Sequence, residues 1–259
     1  MGAGVIVRTS MREAVALGLE ELSRTLELLR SLGEEDWERP TDCTGWSVHD
    51  VVAHLVGQFE GAARPDRLLR RVRAARRMPG FSVLDGHNEL QVRERRHVPP
   101  PDLVEQLESW GGRGIRAFGR IPAPLRRMRL SRLFPEAVAM PDDSLDFLIR
   151  VIGPRDPWMH RIDICSAVGR AFEADGHDAK IVEQVVGDLT QQWPGRAVTL
   201  VLDGSAGGEW VVGQGVPVAE VRCDAIGYCR HASGRPAARA QVSGEHEVAE
   251  ALFEVKISF

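Results

Sequence analysis

Two histidines and an aspartate are the residues of this sequence whose types and spacing could hold a metal ion: His54, Asp156 and His160. Asp156 and His160 are four residues apart, so on a helix they would share one face. A second helix that carries His54 would supply the third ligand. Proteins hold catalytic zinc with neutral imidazoles and a carboxylate, and leave one position for water or a thiol. The spacing therefore admits a centre for zinc or another divalent metal.

The same residues also have plainer interpretations. A single histidine and a DxxxH pair occur together by chance in many proteins, and a buried histidine is commonly a core residue with a satisfied hydrogen bond. Asp156 precedes Pro157, and this pair is also typical of a helix N-cap followed by proline at the first helical position. Spacing alone leaves the metal centre and the structural roles open.

Two neighbouring residues bear on the same chemistry. Asp163 follows His160 by about one helical turn and could orient its ring, or it could form an exposed ion pair with Arg161 or Arg170. Cys43 has no basic neighbour in the sequence, so we expect a buried structural thiol rather than a nucleophile.

The first stretch that positions these residues runs from 36 to 55. Pro40 and Gly45 predict a tight connection, and Ser47 then begins a helix as N-cap, with Asp50 in the capping-box position. His54 lies at the edge of an apolar stripe with helical spacing. That stripe consists of Val48, Val51, Val52, Leu55 and Phe59.

The second stretch runs from 155 to 170. We expect Asp143 or Ser144 to cap a helix that Gly153 and Pro154 break, since proline removes a backbone donor. A new helix would then begin at Asp156 and carry His160.

The remaining pattern predicts an α+β protein, with a four-helix bundle in residues 1–172 and a small α+β domain in residues 173–259. Further helices are predicted over 10–32, 86–96, 102–119, 176–193, 224–232 and 245–254. Short β-branched runs separated by glycine-rich turns predict strands over 197–202, 209–212, 218–223 and 239–242.

Composition limits the function classes. The chain has 259 residues and a formal net charge of −4, which argues against a nucleic-acid-binding protein. No apolar run approaches the length of a membrane span, and residues 1–9 are too short for a signal peptide. The four cysteines have scattered spacings that fit reduced thiols. We therefore expect a soluble cytoplasmic protein without a membrane or nucleic-acid partner; the oligomeric state is open.

One segment stands out by charge. Seven arginines lie between residues 64 and 77, interleaved with leucine and valine. This pattern is compatible with a surface that binds anions or membranes, but such charge runs are more often a solvated helix face or a mobile insertion, which is the interpretation we favour.

Three parts of the chain together carry a resemblance to one known protein family. The first stretch carries the resemblance through Trp37, Pro40, Thr41, Cys43, Gly45, Trp46, Ser47, Val48, Asp50, Val51, Val52, His54 and Leu55. The second does so through His160, Arg161, Ile162, Asp163, Ala167, Gly169 and Arg170. The tail is a looser match, through Val198, Thr199, Leu200, Trp210, Asp224, Ala225, Ser233, Gly234 and Arg235. With these residues the chain resembles the mycothiol-dependent maleylpyruvate isomerase family, which implies a DinB-like four-helix bundle followed by a sterol-carrier-like domain.

The resemblance also implies a site and an activity. His54 and His160 would be zinc ligands, and Asp156 occupies the position of the family's third ligand, a glutamate. Mycothiol or a similar low-molecular-weight thiol would be the cosubstrate, and Arg235 would hold a substrate carboxylate as a catalytic residue. A surface arginine that ends a helix is an equally good interpretation of Arg235 taken alone. The expected activity is isomerisation or S-conjugation of a small electrophile. The alternative is a non-catalytic ligand-binding or regulatory module on the same fold.

Overall fold

The computed structural model describes residues 9–236 and 239–259. They form two compact units: residues 10–172, and Thr9 together with residues 173–259. The first unit is helical, and the second combines helices with a four-stranded sheet, so the predicted α+β class is confirmed. Thr9 is tied to the second unit by a hydrogen bond from the Gln184 side chain to its hydroxyl, at 2.8 Å.

The first unit is built from helices of very different length. They are α1 (Met11–Arg30), α2 (Val48–Ala63), α3 (Pro65–Ala75), α4 (Val83–Arg93), α5 (Pro100–Gly119), α6 (Ala123–Arg126), α7 (Leu145–Phe147) and α8 (Gly153–Ala167). Short 3₁₀ turns span Glu34–Glu38, Leu130–Arg132 and Pro135–Ala139. Helices α1, α2, α5 and α8 pack around a common core, and α3 and α4 pack beside α2.

Helix α2 begins as its sequence predicts. The Ser47 hydroxyl accepts the backbone N–H of Asp50 at 3.3 Å, and the Asp50 carboxylate accepts the backbone N–H of Ser47 at 3.1 Å. This capping box satisfies amides that the first turn leaves without helical partners. Val48, Val51, Val52 and Leu55 are fully buried, so the apolar stripe faces the core.

The predicted helix break at Gly153 and Pro154 is wrong. Ser144 caps α7 by accepting the backbone N–H of Phe147, and the chain then continues through a π-helical turn, Leu148–Ile152, into α8. The N–H of Gly153 donates to the carbonyl of Leu148, five residues back. A π turn changes the hydrogen-bond pattern locally, which lets the helix continue where proline lacks a donor. Asp156 is consequently inside a helix and is not its N-cap.

The basic segment folds as α3, which packs against α2 and α4. Arg71 is only 1% exposed, so a fully solvated face is excluded at this residue. Its guanidinium pairs with Glu60 on α2 and with Glu94 just after α4. Both partners are remote in sequence.

The second unit holds α9 (Gly176–Gln192), α10 (Ala225–Ala232), α11 (His246–Phe253) and one sheet. Its strands are β1 (Arg196–Asp203), β2 (Gly208–Val212), β3 (Gln214–Asp224) and β4 (Gln241–Gly244), in the order β2-β1-β3-β4. β1 runs parallel to β3, and the two outer pairs are antiparallel. β4 begins two residues later than the predicted strand. None of the described helices has the length and apolar character to cross a membrane.

Candidate metal centre

The three residues singled out for metal chemistry lie together inside the first unit. His54 comes from α2, and Asp156 and His160 come from α8. Asp156 Oδ2 is 3.7 Å from His54 Nε2, and Asp156 Oδ1 is 3.5 Å from His160 Nε2. The imidazole rings face each other edge to face, with 5.2 Å between centroids. Both histidines are buried, at 4% and 6% exposure.

Several atoms of this cluster lack ordinary partners. Neither ring nitrogen of His54 has a hydrogen-bond partner among the described residues, and the same holds for Oδ2 of Asp156. A buried polar atom without a partner costs free energy, so a structural core histidine would be expected to have one. Ligands of a tetrahedral zinc ion at about 2.0–2.1 Å lie roughly 3.3 Å apart, close to the separations seen here. The donor set fits a divalent metal, and binding by these residues stays a prediction.

Asp163 holds the other side of the His160 ring. Its carboxylate lies 3.1 Å from His160 Nδ1 and is fully buried. A carboxylate in this position fixes the tautomer that leaves Nε2 available to a metal. The alternative of an exposed ion pair is excluded, because Asp163 is buried and Arg161 instead pairs with Glu21.

The charges of the cluster lower the pKa of Asp156 and raise that of His160. Burial alone raises the pKa of Asp156, but the charge of His160 and the contact with His54 outweigh it and lower that pKa. Burial alone lowers the pKa of His160, yet the charge of Asp156 and the hydrogen bond to Asp163 raise it. A cation is thus favoured between these groups, and a metal ion at His160 Nε2 would replace the proton there.

The connection before α2 brings two further side chains to the centre. The Trp46 ring lies 5.1 Å from the ring of His54 and 6.4 Å from that of His160, measured between centroids. Cys43 Sγ lies 3.4 Å from Asp163 Oδ2 and 3.8 Å from His160 Nδ1. Cys43 is therefore half-buried and not buried as predicted, and it lies beside His160, a basic residue that is remote in sequence. Its structural role stays a prediction.

Backbone hydrogen bonds explain how this connection holds its shape. The N–H of Thr41 donates to the carbonyl of Trp46, and the N–H of Trp46 donates to that of Cys43, both at 2.9 Å. Gly45 has a φ of 82°, a conformation that glycine adopts without steric cost. The sequence signal for these contacts was the motif itself, although spacing gave no reason to aim either side chain at His160.

Arg235, the predicted catalytic residue, lies in the second unit just after α10. Its guanidinium donates to the Ser233 hydroxyl at 3.0 Å, within the turn that carried the resemblance. Substrate binding by Arg235 stays a prediction.

The family model described as the mycothiol maleylpyruvate isomerase N-terminal domain matches residues 19–165, which include all three candidate ligands and Asp163. The chain belongs to this family. The resemblance inferred from the sequence is thereby confirmed.

Solved structures of mycothiol-dependent maleylpyruvate isomerase share the fold. A crystal structure of a histidine-to-alanine mutant is 15% identical over 92% of this chain and 95% of that one, with a TM-score of 0.58. Another crystal structure of the isomerase is 16% identical over 93% and 97% of the two chains, with a TM-score of 0.55. The comparison with curated proteins gives no significant match.

Proposed function

We propose that the chain is a metal-dependent enzyme that uses a low-molecular-weight thiol, such as mycothiol, to isomerise or S-conjugate a small electrophilic substrate. The observation that carries the proposal is the convergence of His54, Asp156 and His160. Both ring nitrogens of His54 and Oδ2 of Asp156 are buried there without hydrogen-bond partners among the described residues. Membership of the maleylpyruvate isomerase family supports the thiol and the class of reaction.

Each residue of the centre has a distinct task in this proposal. His54, Asp156 and His160 would hold the ion, and Asp163 would keep the proton of His160 on Nδ1. Trp46 would limit the access of water to the two imidazole rings. A zinc ion bound here would lower the pKa of a thiol and so supply thiolate at neutral pH.

Isomerisation and S-conjugation share their first covalent step. The thiolate sulfur adds to an electrophilic double bond, and the carbon–carbon bond then becomes single and free to rotate. Loss of the thiolate restores the double bond in the other geometry, which is net isomerisation. Retention of the carbon–sulfur bond, with a proton taken up at carbon, gives the conjugate.

Metal content and turnover together test the proposal. The purified full chain should contain stoichiometric zinc by elemental mass spectrometry, and His54→Ala and His160→Ala should lose most of it. His49→Ala is a matched control on α2, because the His49 ring is engaged with the carbonyl of Val98 at 2.8 Å.

Turnover is measured by incubating the zinc-loaded chain with mycothiol and maleylpyruvate, and by searching a cell extract for new thiol adducts by mass spectrometry. Thiol-dependent turnover that His54→Ala abolishes would support the enzyme. A well-folded, metal-free chain would instead favour a ligand-binding module, and full zinc content in the double histidine variant would overturn the metal centre.

A further inference from the structure

An open pocket of about 380 Å³ lies beside α3, on a part of the first unit that the proposed reaction does not use. It is lined by side chains from α2, α3, the turn after α4, and α5. The lining residues that matter here are Glu60, Arg67, Arg70, Glu94, Arg95 and Gln106.

The charges at this pocket do not balance. Glu60 accepts from Arg71 and Arg95, and Glu94 accepts from Arg70 and Arg71. The pocket lining holds three guanidinium groups, those of Arg67, Arg70 and Arg95, against these two carboxylates, which leaves one positive charge in excess. Arg71 is buried and does not line the pocket, but it pairs with both carboxylates and brings the local excess to two. The pKa of Glu60 is lowered although burial alone would raise it, because its arginine partners outweigh that burial.

Two donors at the pocket lack protein acceptors. Arg67 is half-buried, and its side chain forms no ion pair or hydrogen bond with the described residues. Arg95 is only 6% exposed, and its Nε–H has no hydrogen-bond partner within the described part of the chain. A buried guanidinium donor without an acceptor, as at Arg95, is costly. The half-buried guanidinium of Arg67 lines the pocket and can give charge-assisted hydrogen bonds to an anion there.

We propose that this pocket binds a compact dianion of the phosphate type, either free phosphate or the phosphate group of a small ester. A tetrahedral oxyanion can accept from several guanidinium groups at once, and two negative charges would neutralise the excess. The pocket is distinct from the candidate metal centre. Glu60 follows His54 by six residues, which on a helix is about 9 Å along the axis and about 240° around it.

Titration calorimetry of the full chain at constant ionic strength tests the proposal. Inorganic phosphate and glycerol 3-phosphate are the two probes, and malonate is a planar dicarboxylate comparator. We expect one binding event for phosphate, with malonate weaker. Tighter binding of the ester than of phosphate would assign the ester as the ligand, and the reverse would assign the free ion.

Two variants probe the pocket and one is a matched control. Arg67→Gln should weaken phosphate binding at least about tenfold, the scale expected for losing a charge-assisted hydrogen bond. Gln106→Glu keeps the side-chain shape, adds a negative charge and should also weaken it. Arg73→Gln removes the same charge from an exposed position on α3 and should bind like the wild type.

Folding is checked by circular dichroism, and zinc content should be unchanged in all three variants. The proposal is overturned by the absence of phosphate binding at constant ionic strength, or by Arg73→Gln weakening binding as much as Arg67→Gln. It is also overturned if both pocket variants fold and bind phosphate like the wild type. None of these readouts depends on isomerase activity, so the pocket and the proposed enzyme can fail separately.

Discussion

At the scale of single residues, the side chains of the candidate metal centre have different functions: some would bind the metal, and others orient a ligand. Asp163 touches the candidate ligand His160 at Nδ1, on the opposite side of the ring from Asp156. This arrangement separates metal binding from ring orientation, so the two duties can be tested by different substitutions.

Asp163→Asn should weaken zinc binding by roughly 10- to 100-fold, because the amide no longer fixes the tautomer of His160 with a negative charge. The measurement is competition with a chromophoric zinc chelator. Cys43→Ser, which keeps a donor beside Asp163, should change the affinity much less. Equal zinc affinity in Asp163→Asn and the wild type would contradict the orienting role.

Substitutions of Asp156 distinguish a metal ligand from a carboxylate with only a structural role. Asp156→Asn should lower zinc content, since an amide is a poorer ligand than a carboxylate. The helix start should be unaffected, because Asp156 is not an N-cap. Asp156→Glu should retain zinc, as it restores the residue type that the family resemblance implies. Both variants are compared by elemental analysis and melting temperature, and unchanged zinc in Asp156→Asn would remove this residue from the ligand set.

At the scale of helices, the sequence predicted those features that depend on residues close together in the chain. The Ser47–Asp50 capping box and the stripe of α2 were readable, because each involves residues within a turn or two. The run from α7 into α8 was not, because the local rule for proline ignores a π turn upstream. Burial of Arg71 was equally hidden, since its partners Glu60 and Glu94 are brought near only by packing of α2, α3 and α4.

The candidate site shows the same division. The family signature led to His54, Asp156 and His160, and the structure brings them together. The contacts of Trp46 and Cys43 depend on how the connection before α2 folds back over α8, which no local pattern encodes.

Close packing of α2 against α5 depends on Gly114. A Cβ placed there would lie 2.5 Å from the carbonyl oxygen of Phe59 and 2.9 Å from its Cα. Gly114→Ala should therefore lower the free energy of unfolding by about 1–3 kcal/mol, despite alanine's better helix propensity.

Gly112→Ala is the control on the same helix. Its Cβ would meet only the flexible end of Arg116, at 2.8 Å, so we expect unchanged or slightly higher stability. Urea unfolding of both variants measures the difference. Equal changes in the free energy of unfolding would mean that the contact between α2 and α5 does not require glycine at position 114.

At the scale of the whole molecule, His87 links stability to pH. Burial, followed by the charges of Arg71 and His54, lowers the pKa of His87 to about 3. The unfolded chain, with a histidine pKa of about 6.5, binds more protons than the folded chain between these values. The contribution of His87 is therefore complete above pH 6.5 and is lost as the pH falls towards 3.

Lowering the pH from 7.5 to 5.5 should reduce the free energy of unfolding by about 1.4 kcal/mol through His87 alone. Urea unfolding at both pH values measures the loss in the wild type and in His87→Gln, whose side chain does not titrate. Comparing the two losses isolates His87 from the other histidines. The same pH dependence in both proteins would contradict a buried neutral imidazole.

The predicted role of Arg235, in the second unit, can be tested by substitution. Arg235→Ala should leave zinc content and melting temperature unchanged while reducing turnover of a carboxylate-bearing substrate, because the forked guanidinium would no longer bind the carboxylate. Arg239→Ala, at an exposed position nearby in sequence, serves as the control. Wild-type turnover by Arg235→Ala would rule out the predicted role.

The π turn at Leu148–Ile152 also bears on how such chains diverge. Each residue of an α-helix adds about 100° of rotation, so deleting one residue here would swing everything downstream relative to α7. Asp156 and His160 would keep their mutual spacing but change their direction relative to the preceding helix. When relatives are aligned, a one-residue gap between 148 and 153 would mark chains that enter the ligand helix without the π turn.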